Sequence, residues 1–414
     1  MPIQGCSNTS FVEFRHPSQS IIMRRRAASI DSSSSSDNED VSTKPRQQQP
    51  AKKKAKPAAA TAAKGGGGYS MEAWPASYER ERFLARDAAE ASRLLRDTGI
   101  AVVPGLLDAA GTARALDGLY GALEEAFPLF RRDRPDTWRQ LRDNGAKHAM
   151  LLQTHGLGWC QAAVDVRQSP AMAQFWADLW TQRLLGRAEE EPPVEPSELL
   201  SSSDGVSVYL NRPEERGGFH RPGHDWLHWD RRPGDRMPSV QGFVNLLPTA
   251  SAGAAAFEAL AGSHRRQKAF VEAFPETADK RFFLLQTQAQ ADFYARTCEH
   301  VCIAAAPGDL VLWDSRLIHC GRAALRGAQA PLERAVIYVS MQPRVLATPR
   351  DLELKRRAFA RLLSTSHNAA AGVELFPKYP RVRCPRDQEL HDLSRPVARA
   401  PALTPLGRSL FGLN

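Results

Sequence analysis

The chain has 414 residues, of which 42% are hydrophobic and 24% charged, with a formal net charge of +9. Those values fit a globular protein with a flexible part. No apolar run reaches the roughly eighteen residues a membrane span needs, and the amino terminus lacks the apolar core of a signal peptide. Six scattered cysteines without a C-x-x-C pair point to reduced thiols in an intracellular, cytoplasmic protein.

The charge is unevenly spread. Residues 1–68 carry 11 Lys and Arg against 5 Asp and Glu, and the remainder 44 against 41. Nucleic-acid binding is therefore not expected of the folded part. A serine run (Ser32 to Ser36), a glutamine run (Gln47 to Gln49) and glycines Gly65 to Gly68 mark the first 68 residues as a disordered basic tail. Arg24-Arg25-Arg26-Ala27-Ala28-Ser29 resembles a kinase site, and Lys52 to Lys56 a nuclear localisation signal, though a merely solvated linker has the same composition.

Order is expected from about residue 69, in a domain running to the end of the chain. Ser77 reads as the N-cap of a helix over Tyr78 to Thr98, stopped by Gly99. A short strand, Ile100 to Val103, precedes a helix from Ala109 to Phe127 capped by Asp108, and Pro170 opens another through Trp180. These make a helical part over 77–185. Charged, Pro-containing residues Arg183 to Glu198 read as a linker. Strands follow at Val206 to Leu210, Val240 to Leu247, Ala254 to Leu260, Val301 to Ala305, Leu310 to Ile318 and Ala335 to Met341. Many short strands without alternating helices predict a mainly β core over about 200–342, an antiparallel jelly roll buttressed by helices, in the α+β class. Pro349 to Leu363 is a basic helix in a carboxy-terminal extension, 343–414.

In Val206 to Leu210, Ser207, Tyr209 and Asn211 share one face; in Val240 to Leu247, Gln241, Phe243 and Asn245 do. Tyr209, Asn211, Gln241 and Asn245 are thus candidates to line a pocket, or else the solvated side of a sheet. The chemistry centres on Asp225-Trp226-Leu227-His228-Trp229-Asp230. In an extended strand His228 and Asp230 project together and Trp229 to the opposite face. An imidazole and a carboxylate so placed supply two ligands of a facial triad for non-haem iron(II). A third must come from a distant histidine, and His319, closing the strand after Pro307-Gly308-Asp309, is the best placed. Each residue has a plainer alternative: a core histidine, a turn aspartate, a strand-end donor. His220, His224, His264 and His300 are competing imidazoles.

Taken in order, the "Gly-apolar-Val-Val-Pro-Gly" entry, the His-x-Asp pair, the Gly262-Ser263-His264 turn, the Pro-Gly-Asp strand ending in His319, and Arg334 opening a further strand resemble the phytanoyl-CoA dioxygenase-like branch of the iron(II)/2-oxoglutarate oxygenases. The resemblance covers roughly Ile100 to Gln342. It implies a double-stranded β-helix holding Fe(II) on His228, Asp230 and His319, with 2-oxoglutarate and O2 taking the open positions and a small organic substrate being hydroxylated. It also implies an arginine for the distal carboxylate of 2-oxoglutarate. Arg334, on the face of Val336 and Tyr338, suits that role better than Arg322 or Arg326. Arg231, Arg232 and Arg236 crowd the loop after the metal pair and suggest an anionic substrate at the mouth, or a solvated loop. The alternatives are a catalytically degenerate binding module and a cupin-like metalloenzyme that does not use 2-oxoglutarate. Neither a P-loop, a Gly-x-Ser-x-Gly elbow nor a His-Glu-x-x-His helix is present.

Overall fold

Side chains along a strand alternate between its faces, and in this chain the two faces have different partners. The computed structural model describes residues 68–141, 151–182, 192–210, 226–235, 239–249, 254–322, 332–380 and 385–414. The tail features, Lys52 to Lys56 among them, lie outside that set, as does the 183–191 part of the expected linker. The described strands are β1 (Ser77–Glu79), β2 (Ile100–Val103), β3 (Leu151–Leu152), β4 (Leu199–Ser201), β5 (Val206–Leu210), β6 (His228–Trp229) and β7 (Val240–Asn245). They continue with β8 (Ala256–Ala261), β9 (Phe283–Leu284), β10 (Glu299–Ile303), β11 (Leu310–Asp314), β12 (Ile318–Arg322), β13 (Leu332–Tyr338) and β14 (Met341–Pro343). The helices are α1 (Ala88–Asp97), α2 (Ala109–Ala126), α3 (Gln161–Arg167), α4 (Pro170–Thr181), α5 (Gln267–Ala273), α6 (Gln288–Ala295), α7 (Pro349–Arg361), α8 (Pro385–Leu393) and α9 (Pro405–Leu410).

Two six-stranded sheets result, ordered β1-β10-β8-β12-β6-β9 and β2-β11-β7-β13-β5-β3, with a small β14-β4 pair beside them. From β5 to β8, and again from β10 to β13, the chain steps from one sheet to the other at each strand. That alternation of mainly antiparallel strands is a double-stranded β-helix.

Three apolar layers explain why these residues form it. Val206, Val208, Val244, Leu310, Leu312 and Ile337 face outward onto α1, α2 and α4, meeting Leu94, Leu119, Leu123 and Trp176. Phe243, Phe257, Val311, Trp313 and Val336 face inward between the sheets. Leu227, Trp229, Ile318 and Cys320 face the other way, toward Phe270, Phe283 and Tyr294 around α5 and α6. Each fully buried Leu or Phe contributes about 1.5–3 kcal/mol, so a strand out of phase would forfeit several such terms at once.

Three expectations change. The first helix begins at Ala88, not Tyr78: Asp87 is its N-cap, accepting from the Glu90 N–H at 2.8 Å. Ser77 instead lies in β1, paired parallel to β10, because Phe83 is needed in the inner layer and Ala85 N–H donates to the Val102 carbonyl. The run Leu310 to Ile318 is two strands, not one. Asp314 accepts from the backbone N–H of Arg316 at 2.8 Å and turns the chain, which then crosses to the other sheet as β12. Likewise Ala335 to Met341 breaks after Tyr338, and Met341 pairs with Ser201 in the small sheet. The carboxy-terminal extension, read as part of the same domain, packs into the body, where Phe411 meets Trp159 with ring centroids 4.8 Å apart. The caps at Asp108 and the Pro170 start stand as read.

Within that packing Lys355 on α7 is buried and donates to the Ser201 carbonyl at 2.6 Å. Burial, then Arg344 and Arg167, push its ammonium down to about 7, with Asp351 opposing. A lowered lysine binds fewer protons folded than unfolded, so its cost to stability is full below about 7 and fades as pH rises toward the ordinary 10.5. Thermal unfolding of wild type and Lys355→Met should therefore diverge with pH, wild type gaining relative stability from pH 7 upward. Parallel curves would mean that the amine is not buried in solution.

Candidate metal centre

The pairing of β12 with β6 sets His319 directly opposite His228. Both point inward, their ring centroids 4.5 Å apart, while Trp229, Ile318 and Cys320 point out into the α5–α6 layer. Asp230 follows β6 and is fixed by its own N–H to the Ser315 carbonyl at 3.0 Å. Its Oδ1 lies 3.7 Å from His228 Nε2 and its Oδ2 3.5 Å from His319 Nε2. One ligand atom from each of the three residues falls within 4.8 Å of the others.

The tautomers follow from the surroundings. His228 Nδ1 lies 2.9 Å from the Trp226 carbonyl and His319 Nδ1 3.0 Å from that of Leu317. Only an N–H can make such a contact, so each Nε2 carries a lone pair. Two lone pairs and a carboxylate thus converge on one point, which calls for a cation between them. Burial, then repulsion from His228 whenever that ring takes up a proton, lower the His319 imidazole from its ordinary 6.5, with Asp230 opposing, which favours the neutral ring. Burial would raise the Asp230 carboxyl, but His228 and His319 outweigh it and hold it well below the carboxylate range. Gln241 Nε2 donates to Asp230 Oδ2 at 2.9 Å and to Ser315 Oγ at 3.2 Å, orienting the carboxylate from behind.

Arg334 lies on the inner face of β13, opposite Tyr209 and 1% exposed. Its guanidinium carbon sits 5.0 Å from the Tyr209 ring centroid and 4.6 Å from that of Phe243, and its Nη1 has no hydrogen-bond partner. It lines the same cavity, about 340 Å³, as the three candidate ligands. Gly321 admits this arrangement: a Cβ there would stand 1.9 Å from the Tyr209 hydroxyl oxygen.

The other sequence candidates divide. Tyr209 stands beside Arg334, and Gln241 lines the cavity. Asn245 does not line it: its Nδ2 donates to the Leu247 and Ala305 carbonyls at 2.6 and 3.0 Å and ties down a turn. Arg322 turns to the far side of the sheet, with Nη1 3.3 Å from Cys302 Sγ and Nε 3.7 Å from Glu258. Arg231 and Arg232 are not at the cavity mouth. After Asp230 the chain leaves the strand, so Arg231 is buried against Asp235 at 3.1 Å and Arg232 pairs with Asp279 at 2.9 Å. Asn211, Arg236 and Arg326 lie outside the described residues, as do His220 and His224. His264 bonds the Arg96 carbonyl and His300 the Trp74 carbonyl and Glu258, so both are structural. Missed from sequence were Trp226 and Phe282, whose rings flank His228 at 4.4 and 5.0 Å, and the segment around His367. That segment lies far from every motif and carries no spacing signal.

A double-stranded β-helix with a buried His-x-Asp…His cluster defines the oxygenase class of jelly-roll proteins. The phytanoyl-CoA dioxygenase (PhyH) family profile matches residues 95–326, and the chain belongs to that family, whose members use iron(II), 2-oxoglutarate and O2. The Ava biosynthesis cluster protein O of Aspergillus versicolor is 27% identical over 227 residues; the match spans 51% of this chain and 64% of that relative's length. Among solved structures, the epimerase SnoN in complex with Fe3+, alpha ketoglutarate and nogalamycin RO is 15% identical, with a TM-score of 0.40 over 70% of this chain and 97% of its own. GlcNAc Inducible Gene 2 (GIG2) from Candida albicans is 11% identical, with a TM-score of 0.49 over 78% and 76%.

One contact bears on metal affinity. The Trp313 indole N–H donates to His319 Nε2 at 3.1 Å, the atom a metal would use. The two cannot share one lone pair, so metal binding must break this bond. Trp313→Phe keeps the ring in the inner layer and removes the donor. It should tighten manganese(II) or zinc(II) binding by about three- to tenfold, the worth of one hydrogen bond, in a calorimetric titration. Weaker binding would show that the indole supports the ligand.

Proposed function

We propose that the chain is an iron(II)- and 2-oxoglutarate-dependent dioxygenase that hydroxylates a small organic substrate. The observation that carries this reading is the pairing, in one cavity, of three converging ligand groups with a buried arginine whose Nη1 has no hydrogen-bond partner. A metal alone would leave Arg334 unexplained, and a buried guanidinium N–H without a partner costs about 1–3 kcal/mol or more. A dicarboxylate that also reaches the metal accounts for both.

When bound, iron(II) with 2-oxoglutarate and O2 would supply the oxidising chemistry, coupling decarboxylation to succinate and CO2 with insertion of hydroxyl into the substrate. The residues of the chain do the rest. His228, Asp230 and His319 hold one side of the metal and leave the other open. The backbone carbonyls of Trp226 and Leu317 keep both imidazoles turned with Nε2 inward, and Gln241 keeps the carboxylate facing them. Arg334 presents a planar fork to the distal carboxylate, clamped between Tyr209 and Phe243. The inner layer of Phe243, Phe257 and Trp313 excludes water from the metal side. A degenerate binding module or a cupin-like enzyme without 2-oxoglutarate would have no use for Arg334 as it stands.

The test is anaerobic addition of iron(II) and 2-oxoglutarate with optical spectroscopy. A metal-to-ligand charge-transfer band is expected in the wild type. Alanine at His228, Asp230 or His319 should each abolish it. Arg334→Ala should retain metal binding and weaken 2-oxoglutarate at least about tenfold, since each charge-assisted bond is worth ~1.5–3 kcal/mol. Lysine at that position should restore part of the affinity, and Arg322→Ala should bind 2-oxoglutarate as the wild type does. No band in the wild type sinks the reading.

A further inference from the structure

The far wall of the metal cavity is built by a part of the chain that the family match, ending at residue 326, does not reach. Residues 364–376 fold back on themselves: Thr365 bridges Leu375, and Ser366 N–H donates to the Glu374 carbonyl at 3.0 Å. The turn is anchored at three points. Gln342 Oε1 accepts from the N–H groups of Ala369 and Ala370 at 3.0 and 2.9 Å. Asp351 Oδ1 accepts from Gly372 and Val373, both at 3.0 Å. Thr365 N–H donates to the Ser203 carbonyl at 3.0 Å, and its Oγ1 accepts from Ser203 N–H at 2.9 Å. Burial works to raise the Asp351 carboxyl, yet hydrogen bonds from Thr348, Val373 and Gly372 outweigh it and hold it low. This wall is therefore set before anything binds.

On it stand three buried polar atoms without a hydrogen-bond partner: Ser366 Oγ, His367 Nε2 and Asn368 Oδ1. All three residues line the cavity that holds the candidate ligands and Arg334. Folded proteins rarely leave such atoms orphaned, and three together on a rigid wall mark groups kept for a ligand. Neighbouring Asp204, also lining the cavity, is buried with Oδ1 bonded by Gln153 and by Gly205 N–H at 3.1 and 2.6 Å. At the exposed edge Arg281 is spent on Glu374 at 2.7 Å, and Trp226, Phe282 and Phe376 add apolar rings.

We propose that Ser366, His367 and Asn368, with Asp204, form the substrate subsite, and that it takes an uncharged or cationic molecule carrying hydroxyl or amino hydrogens on a ring-sized apolar frame, and disfavours anions. The assignment rests on the oxygenase reading above. It replaces the anionic substrate that Arg231, Arg232 and Arg236 suggested. Asparagine, serine and aspartate oxygens accept hydrogen bonds from such a head group, and the aromatic rings cover its frame. A carboxylate head would set acceptor against acceptor at Asn368 Oδ1, and with 2-oxoglutarate on Arg334 it would find no free arginine or lysine among the described residues lining this wall.

Benzyl alcohol, benzylamine and benzoate share one ring and differ in head group. Their binding is read by saturation-transfer NMR on the full chain loaded with zinc(II) and 2-oxoglutarate. The alcohol and the amine should bind and benzoate should not. Ser366→Ala with Asn368→Ala should weaken both by about three- to tenfold while leaving the iron(II)–2-oxoglutarate band intact. Should that double variant unfold, the single variants Ser366→Ala and His367→Ala carry the same expectation. The subsite is overturned if none of the three binds, if the variants leave alcohol and amine unaffected, or if benzoate binds and still does so in Arg334→Ala. A wild type without the charge-transfer band, whose alcohol and amine binding still depends on Ser366 and Asn368, would sink the oxygenase reading and leave the subsite standing.

Discussion

Everything at the centre depends on the register of one short strand. β12 lies between β8 and β6, with His319 opposite both Ala259 and His228. A slip of one residue would turn His319 into the α5–α6 layer and bring Ile318 or Cys320 inward. The register is held from outside the site: Ile318 and Cys320 are fully buried on the outer face, and Ile318 N–H donates to Ser263 Oγ at 2.8 Å. Apolar burial on one face thus fixes polar geometry on the other. The small Ala259 leaves the inner face open beside the imidazole.

The same alternation explains what the sequence made legible. His228 and Asp230 two apart, Trp229 between them, and Arg334 sharing a face with Val336 and Tyr338 are local facts of period two, and the structure brings His228, Asp230 and Arg334 together with His319 in one cavity. What escaped depends on distant partners. Ser77 looked like a cap because Asp87 was read as helix interior, and only the demand of the barrel for Phe83 decides between them. The turn at Ser315 to Leu317 is marked locally by the polar triplet Asp314-Ser315-Arg316 between two apolar stretches, and the Asp314–Arg316 contact closes it. Charge beside a motif suggests either a mouth residue or a solvated loop at Arg231, and its pairing with Asp235 depends on a turn at Gly234, where φ is +77°. The wall at residues 364–376 is a matter of tertiary folding alone.

Pro307-Gly308-Asp309, quoted as part of the motif, has a structural purpose. Asp309 is 1% exposed, and its carboxylate accepts from Arg80 Nη2 at 3.0 Å, Gly105 N–H at 3.0 Å and Ala306 N–H at 2.8 Å. One side chain therefore joins the segment after β1, the turn between β2 and α2, and the approach to β11. Gly308 is required there, with φ +89° and the Leu107 carbonyl oxygen 2.2 Å from where a Cβ would be. Ligand geometry one strand later inherits this rigidity.

The sheet borders carry a consequence of another kind. One sheet ends in β1 and β9, of three and two residues, the other in β2 and β3, of four and two. The longest of these, β2, is apolar throughout, yet its free side is met by the Leu84–Val102 bridge and the Ala85 N–H. Unpaired strand edges act as templates for other chains, and length is what makes them effective. Among the described residues no bordering strand offers more than four residues. Backbone pairing between copies finds little edge to use at these rims, which favours contacts made through side chains.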